Sequence, residues 1–332
     1  DIGDSWQKTA RLNGYDIMVL RLTNNKIPGP KPVLLLNGAL HAREYATAEL
    51  VTRFAESLVE DYGADADATW ILDYHEVHAI LHANPDGRKQ AEAGLLWRKN
   101  TNQAYCGPGS DQRGADLNRN FDFQWACCDG SSASECAWDY HGPVAASEPE
   151  TQALQNYITT VFSDQRGPDP TDTVDDDASG TFIDVHSYGM LVLWPWGYTH
   201  EFAPNAVQLQ TLGRKLAYWN GYTPQQAIGL YPTDGTTDGF SYGELGIASY
   251  CIELGTEFFE SCSYFESTIV PDLMPTLIYA AKVVRTPYMT PAGPDALSLS
   301  LSDGAAAPGV PSGTPVTLQA TVDDTRYNNV NG

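Results

Sequence analysis

The stretch Val33 to Asn37 is an almost continuous apolar run that stops at Gly38, the pattern of a β-strand covered on both faces. Apolar residues then recur at Ala48, Val51, Phe54, Ala55 and Leu58, a helical spacing that predicts an amphipathic helix over Thr47 to Asp61. Strand-like segments follow or precede at Tyr15 to Thr23, His75 to Ala83, Phe182 to Val185, Met190 to Trp194 and Ala248 to Leu254. Helical periodicity returns at Glu148 to Val161, Ala206 to Asn220 and Pro271 to Val284. The strand at His75 is halted by Asn84-Pro85-Asp86-Gly87, a turn signal. Strands alternating with helices predict an α/β fold with a mostly parallel sheet covered on both faces. Such sheets bind ligands at the carboxyl ends of their strands, so the residues just past each strand are the first candidates for chemistry.

After Tyr288 the composition changes to Pro, Ala, Gly and Ser, and Ala296 to Ser302 and Val316 to Val322 alternate apolar with polar. That alternation is how half-buried strands of a β-sandwich read. Two strands cannot close a sandwich, so the expected division is a main domain over 1–288, then a linker and the start of a truncated β-sandwich domain over 289–332.

The length, 332 residues, suits one large domain with a short appendage. Hydrophobic residues at 42% and charged residues at 18% provide for a core and argue against disorder. Forty-two Asp and Glu against nineteen Lys and Arg give a formal charge of −23, which repels phosphate backbones and anionic membranes and excludes nucleic acid as a partner class. No apolar run reaches the roughly 18 residues of a membrane span. No signal peptide precedes Asp1, as expected of a mature, processed chain.

Six cysteines are present, with Cys106, Cys127, Cys128 and Cys136 in one Gly/Ser-rich stretch. They read as loop disulfides of an oxidising compartment, secreted or periplasmic. A thiolate zinc site is the competing reading, but the paired spacing of a zinc ribbon is missing. The four permit three pairings, and the sequence does not choose among them. Cys251 and Cys262, separated by a short span, are expected to pair with each other.

His41-Ala42-Arg43-Glu44 lies just beyond the Val33 strand, and His186 follows the Phe182 strand. Two imidazoles and one carboxylate at strand ends form a zinc set with a fourth position open, the arrangement of catalytic rather than structural zinc. Taken alone, His-x-x-Glu also suits a surface or capping role. His75-Glu76-Val77-His78 and His82 superficially match a helical zinc-protease motif, but the spacing is one residue short and the run alternates like a strand. Those histidines are expected on an exposed or half-buried strand. Glu253 is a carboxylate inside the apolar run Tyr250 to Leu254, which suits either a buried general base or a structural ion pair. Arg98 and the segment Asp116-Leu117-Asn118-Arg119-Asn120 supply positive charge and amide donors on loops.

These pieces occur with further landmarks in one order: Trp97-Arg98-Lys99, Tyr140-His141-Gly142, His186-Ser187-Tyr188, Pro195-Trp196-Gly197-Tyr198, Tyr231 and Glu253. From about Ile2 to Val284 the chain thereby resembles the zinc carboxypeptidase family of the pancreatic A and B type. The segment from Trp125 through Cys127 and Cys128 to Ser132 is similar to a loop of the family's secreted bacterial branch. The resemblance implies a mixed, mostly parallel twisted central sheet and a monomeric peptidase that trims peptide or protein C-termini. It implies one Zn2+ held by His41, Glu44 and His186, with Asp116 orienting His41 and Glu253 as general base. Arg98 would share the developing oxyanion, and Asn118 and Arg119 would grip the terminal carboxylate under Tyr231. Arg43 and Tyr188 would line the subsites before the scissile bond.

Counting from Tyr231 and from Glu253 sets Asp238 where B-type members carry an aspartate that pairs with Lys or Arg, which implies a preference for those C-terminal residues. The aspartate common just after it in the family is replaced by Gly239, and Thr233 and Thr236 add polarity without charge, so dual specificity is the rival. A cell-wall peptide peptidase of the same fold and a catalytically dead binding module are further alternatives. The chain departs from the family pattern in starting without the N-terminal helix or a propeptide, and in extra loops at Gly107 to Gly114 and Asp169 to Asp177. Clustered aspartates are also a calcium-binding composition, so Ca2+ is a second cofactor to check, although a solvated acidic loop is the simpler expectation.

Overall fold

The computed structural model describes residues 1–306 and 309–329; residues 307, 308 and 330–332, within the expected C-terminal appendage, lie outside the described residues. The chain opens with β1 (Gly3–Asp4), the single turn α1 (Trp6–Thr9), β2 (Asp16–Ile17) and β3 (Val19–Leu22). Then follow β4 (Val33–Gly38), α2 (Tyr45–Glu60), α3 (Ala66–Tyr74), β5 (Glu76–Ile80), α4 (Pro85–Glu92) and α5 (Pro149–Val161). Beyond these come β6 (Thr181–Ser187), β7 (Leu191–Trp194), α6 (Ala206–Asn220), β8 (Thr223–Gln226), α7 (Thr237–Leu245) and β9 (Ala248–Leu254). The remainder holds α8 (Cys262–Tyr264), α9 (Val270–Val283), β10 (Asp295–Leu301) and β11 (Leu318–Asp323).

Seven strands form one sheet in the order β3-β5-β4-β6-β9-β7-β8. β5, β4, β6 and β9 are parallel, β3 and β7 are antiparallel to their inner neighbours, and β8 runs with β7, so the sheet is mixed and mostly parallel. The apolar run of β4 is explained by burial on both faces. Leu34 and Leu36 enter a core with Phe54 and Leu58 of α2 and Leu273 and Leu277 of α9. Leu35, one residue out of phase, enters the opposite core with Leu154 and Ile158 of α5. The ladders set Asn37 opposite Asp184, and His186 opposite Glu253.

Several expectations are corrected. The strand over Tyr15 to Thr23 divides at Met18 into β2 and β3, which join different sheets. The strand expected over His75 to Ala83 ends at Ile80, and Asn84-Pro85-Asp86-Gly87, read as a turn, opens α4: Asn84 Oδ1 accepts the Gly87 N–H at 3.0 Å and Pro85 takes the first helical position. Asn and Pro serve a turn and a helix start by the same chemistry. Helix α7 is glycine-rich, and its packing explains it: a Cβ on Gly243 would lie 2.4 Å from the Phe123 ring. One helical turn, α1, precedes β2 in the region where no helix was expected.

The disulfides are Cys106–Cys136 and Cys127–Cys128. Cys251 and Cys262 are both free, contrary to the expected pair. Cys251 is buried with Leu193 and Ala227, whereas Cys262 is exposed at the start of α8. The Asp169 to Asp177 loop is organised around Arg166, whose guanidinium donates to the carbonyls of Asp169, Pro170 and Asp172. Its carboxylates form no converging ligand group among the described residues.

β10 and β11 pair as an antiparallel hairpin, with β11 starting two residues later than the alternation predicts. This segment is fastened to α6. Buried Lys215 pairs with Asp295, and the Asn328 side chain donates to the carbonyls of Ala217 and Tyr222. Among the described residues no helix is long and apolar enough to cross a membrane.

Candidate active site

Three side chains from separate elements converge at the carboxyl ends of β4 and β6. His41 follows β4 on a short loop, Glu44 caps the start of α2, and His186 lies near the end of β6. Glu44 Oε1 is 2.9 Å from His41 Nδ1, Glu44 Oε2 is 3.1 Å from His186 Nδ1, and the two Nδ1 atoms are 3.0 Å apart. All three residues are buried. The other ring nitrogens are taken: His41 Nε2 faces Asp116 Oδ1 at 3.1 Å, and His186 Nε2 faces Asp184 Oδ2 at 2.9 Å. Carboxylates face both nitrogens of each ring; in the tautomer that donates from Nε2 to Asp116 or Asp184, Nδ1 is left as a lone pair. Two such lone pairs and a carboxylate therefore face one point, a donor set suited to a divalent cation of the zinc type.

The electrostatics agree with that fit. Burial alone would lower the His186 pKa, but Asp184 and Glu44 outweigh it and hold it well above the ordinary imidazole value. An environment that stabilises positive charge on His186 also stabilises a cation beside it. Burial likewise opposes ionisation of Glu44, yet His41 and His186 keep its pKa below the usual carboxylate range. The second converging acidic group, Asp1, Asp4 and Asp16, is exposed to partly buried, and Lys8 forms ion pairs with Asp4 and Asp16.

Glu253 stands on β9 beside His186 in the parallel ladder and lines the same cavity. Burial, reinforced by the charge of Glu44 and opposed by His186 and Arg98, pushes its pKa up to about 7. Arg98 is buried and donates from Nε (2.9 Å) and Nη2 (2.8 Å) to Asp116 Oδ2, while Nη1 lies 4.0 Å from Glu44 Oε1. Asp116 thus joins Arg98 to His41.

The cavity above these groups has a volume of about 360 Å³. Its lining includes ten of the eleven predicted site residues: His41, Arg43, Glu44, Arg98, Asn118, Arg119, Tyr188, Tyr231, Asp238 and Glu253. The eleventh, His186, adjoins it through Glu44. Asn118 and Arg119 lie in a short 3₁₀ turn whose N-cap is Asp116. Arg119 is buried, donates from Nε to Gly130 O at 3.0 Å, and has its Cζ 6.0 Å from the Tyr231 ring. Tyr188 and Tyr231 form the exposed rim. Asp238 sits in the first turn of α7, buried and lining the cavity together with Thr233 and Thr236. Burial raises its pKa, which the Thr236 hydroxyl partly offsets.

The rival histidine cluster does not assemble. His75 caps α3 and is buried edge-on to the Trp70 ring, its nitrogens without a hydrogen bond among the described residues, while His78 on β5 pairs with Glu76 and Tyr157. Other contributors were missed. Asp184, the partner of His186, was signalled by its spacing, because Asp184 and His186 are two apart on one strand face. Trp138, 4.8 Å from Arg98 Cζ, and Phe258, 3.9 Å from Arg43 Cζ, arrive on loops that carry no periodic signal.

Comparison with known proteins accords with this geometry. The family model for zinc carboxypeptidase matches residues 4–272. A zinc carboxypeptidase of Saccharothrix mutabilis subsp. capreolus is 31% identical over 265 residues, covering 76% of this chain and 56% of the relative. Carboxypeptidase B of Bos taurus is 29% identical over 232 residues, covering 68% and 51%. The chain thus spans about half the length of the curated relatives it matches. The crystal structure of thrombin activatable fibrinolysis inhibitor superposes with a TM-score of 0.71 at 23% identity, covering 85% of this chain and 68% of that one. The carboxypeptidase A of Helicoverpa armigera gives 0.70 at 22% identity, covering 87% and 68%. At those identities the two structures speak for the fold alone. The match over residues 4–272 decides the assignment: the chain belongs to the zinc carboxypeptidase family.

Proposed function

We propose that this chain is a zinc-dependent metallocarboxypeptidase that hydrolyses the C-terminal peptide bond of peptides, with a preference for C-terminal Lys or Arg. The observation that carries the proposal is the meeting, in one cavity of about 360 Å³, of the His41, Glu44 and His186 donors with the carboxylate of Glu253 and the guanidinium of Arg119. A zinc ion held by those three donors supplies a Lewis acid and a water of depressed pKa. Glu253 takes a proton from the attacking water and returns it to the departing amine nitrogen. Its pKa of about 7 suits both directions of transfer near neutral pH. Arg98, fixed by Asp116, offers Nη1 towards the oxygen that gains charge. Arg119 and Asn118 bind the substrate's terminal carboxylate beneath Tyr231, and Arg43 and Tyr188 contact residues upstream of the scissile bond.

The terminal preference follows from Arg119. A chain that lacks a free carboxylate there leaves a buried guanidinium unpaired, at a cost of about 3 to 5 kcal/mol. Asp238 supports the cationic side chain, because a Lys or Arg entering the cavity would pair with a carboxylate whose ionisation burial opposes. One observation favours dual specificity instead: Leu193, Ala227 and Cys251 form an apolar wall of the same cavity. Secretion is supported by the two disulfides. The change of pairing after Tyr288, from the seven-stranded sheet to an isolated hairpin, supports reading residues 289–332 as a separate β segment. A monomer completes the proposal.

The test is zinc stoichiometry with chelator and re-addition controls, followed by acyl-dipeptides ending in Arg, Lys, Leu and Phe. Release of one free C-terminal residue and no cleavage of the C-terminal amides are expected. Cleavage of amidated substrates at the rate of the free acids would refute terminal recognition. Equal kcat/KM on Arg and Leu would replace the basic preference with dual specificity.

A further inference from the structure

The guanidinium of Arg119 is held by two backbone carbonyls, one from its own turn and one from the loop that follows Cys127 and Cys128. Its Nε donates to the carbonyl of Gly130 at 3.0 Å, and Nη1 donates to the carbonyl of Asn118. Nη2 has no protein partner among the described residues. Of the two carbonyls that orient the far end of the side chain, Gly130 is the one supplied by a separate loop, so its position helps to set where the guanidinium points.

That carbonyl is set by Asp234. The residue is buried, and its Oδ2 accepts the N–H groups of Cys128 at 3.1 Å and Gly130 at 3.0 Å, while Oδ1 accepts the Ser131 hydroxyl. Packing closes the same junction from both sides. A Cβ on Gly130 would lie 2.5 Å from Thr233 and Asp234 backbone atoms, and one on Gly235 would lie 2.5 Å from the carbonyl oxygen of Arg119. The loop that carries Tyr231 thus continues directly into the clamp that holds the anchor.

We propose that Asp234 is a positioning residue for recognition of the substrate carboxylate, acting through the peptide N–H groups of Cys128 and Gly130 and the Gly130 carbonyl on Arg119. The inference rests on the reading of Arg119 as the carboxylate anchor. It goes beyond that reading in assigning a role to a side chain that touches neither substrate nor metal.

The test measures kcat and KM of the full chain on one free-acid acyl-dipeptide for Asp234→Ala, Asp234→Asn, Gly130→Ala and Arg119→Gln. Asp234→Ala should raise KM about tenfold with kcat changed less than threefold, since one buried acceptor of three donors is removed while His41, Glu44, His186 and Glu253 are untouched. Asp234→Asn keeps an oxygen for both N–H groups and an amide that can donate to Ser131, so it should restore KM to within about threefold. Unchanged KM in Asp234→Ala, a loss confined to kcat, or no rescue by Asp234→Asn overturns the proposal. Should Asp234→Ala not fold, Gly130→Ala carries the decision, because it displaces the same carbonyl and must raise KM. Arg119→Gln separates the two levels. Raised KM there with an indifferent Asp234→Ala sinks only the clamp, whereas an indifferent Arg119→Gln sinks the anchor reading itself.

Discussion

Replacing Asp184 tests how the second imidazole is prepared for its metal. Asp184 is buried on β6, accepting from His186 Nε2 at 2.9 Å and Thr237 Oγ1 at 2.6 Å through Oδ2, and from Asn37 Nδ2 at 2.9 Å through Oδ1. In Asp184→Asn the new amide nitrogen must take one of these two sides. On the His186 side it would meet the Nε2 proton, reverse the tautomer and abolish the Nδ1 lone pair. On the Asn37 side the conflict resolves if Asn37 turns its amide over, because Asn37 Oδ1 is buried without a hydrogen-bond partner. The asparagine should therefore retain ring orientation and lose only the charge. Removing a partner behind a zinc-bound histidine weakens zinc by ~10- to 100-fold. The structure thus sets Asp184→Asn near the lower figure, about 1.4 kcal/mol, and Asp184→Ala, which frees the ring altogether, near the upper, about 2.8 kcal/mol. Competition between apo-protein and a calibrated chelator reads both. Zinc affinities within twofold of the unmodified chain for both variants would refute the tautomer argument.

Three further outcomes follow from the site and the core. Glu253→Gln should keep its zinc content and melting temperature yet lose kcat by at least ~10²-fold, the scale of general acid–base catalysis; retained turnover would remove Glu253 from that role. Asp238→Ala should lower kcat/KM for C-terminal Arg by ~10²-fold or more and leave C-terminal Leu within a few-fold, since only the cation loses a buried partner; equal losses would point to general damage of the pocket. Glu150, fully buried beside Asn100 and the Trp6 N–H, has its pKa pushed up to about 8 by burial, against about 4.5 when the chain is unfolded. Between those values the folded state holds a proton that the unfolded state has lost, so the contribution of Glu150 to stability falls as pH rises through that window. Glu150→Gln should gain on the unmodified chain in melting temperature between pH 5 and pH 8.5, and a pH-independent difference would contradict the assignment.

The candidate site was largely legible because the three residues that converge there lie just past strongly patterned strands. Val33 to Asn37 and Phe182 to Val185 declare themselves by apolar runs, and His41, Glu44 and His186 follow within a few residues. Glu253 stood out as a charge in an apolar strand. Helix α7 was missed because Thr237-Asp238-Gly239-Phe240-Ser241-Tyr242-Gly243 has weak intrinsic helix propensity, and tertiary contacts against Phe123 override it. The free state of Cys251 and Cys262 was missed because closeness in sequence says nothing about the face on which a strand residue packs. Trp138 and Asp234 act across loops, where no periodicity reports which backbone a side chain will meet.

The pairing of His186 with Glu253 across two adjacent parallel strands has a bearing on how this protein can diversify. Their separation is inherited from the hydrogen-bond spacing of the sheet, about 4.8 Å between neighbouring strands, rather than set by the loops around them. On the proposed reading, substitutions around Asp238 can therefore change the preferred terminal side chain while the distance between Glu253 and His186 stays constant. Substrate choice drifts on a fixed chemical ruler.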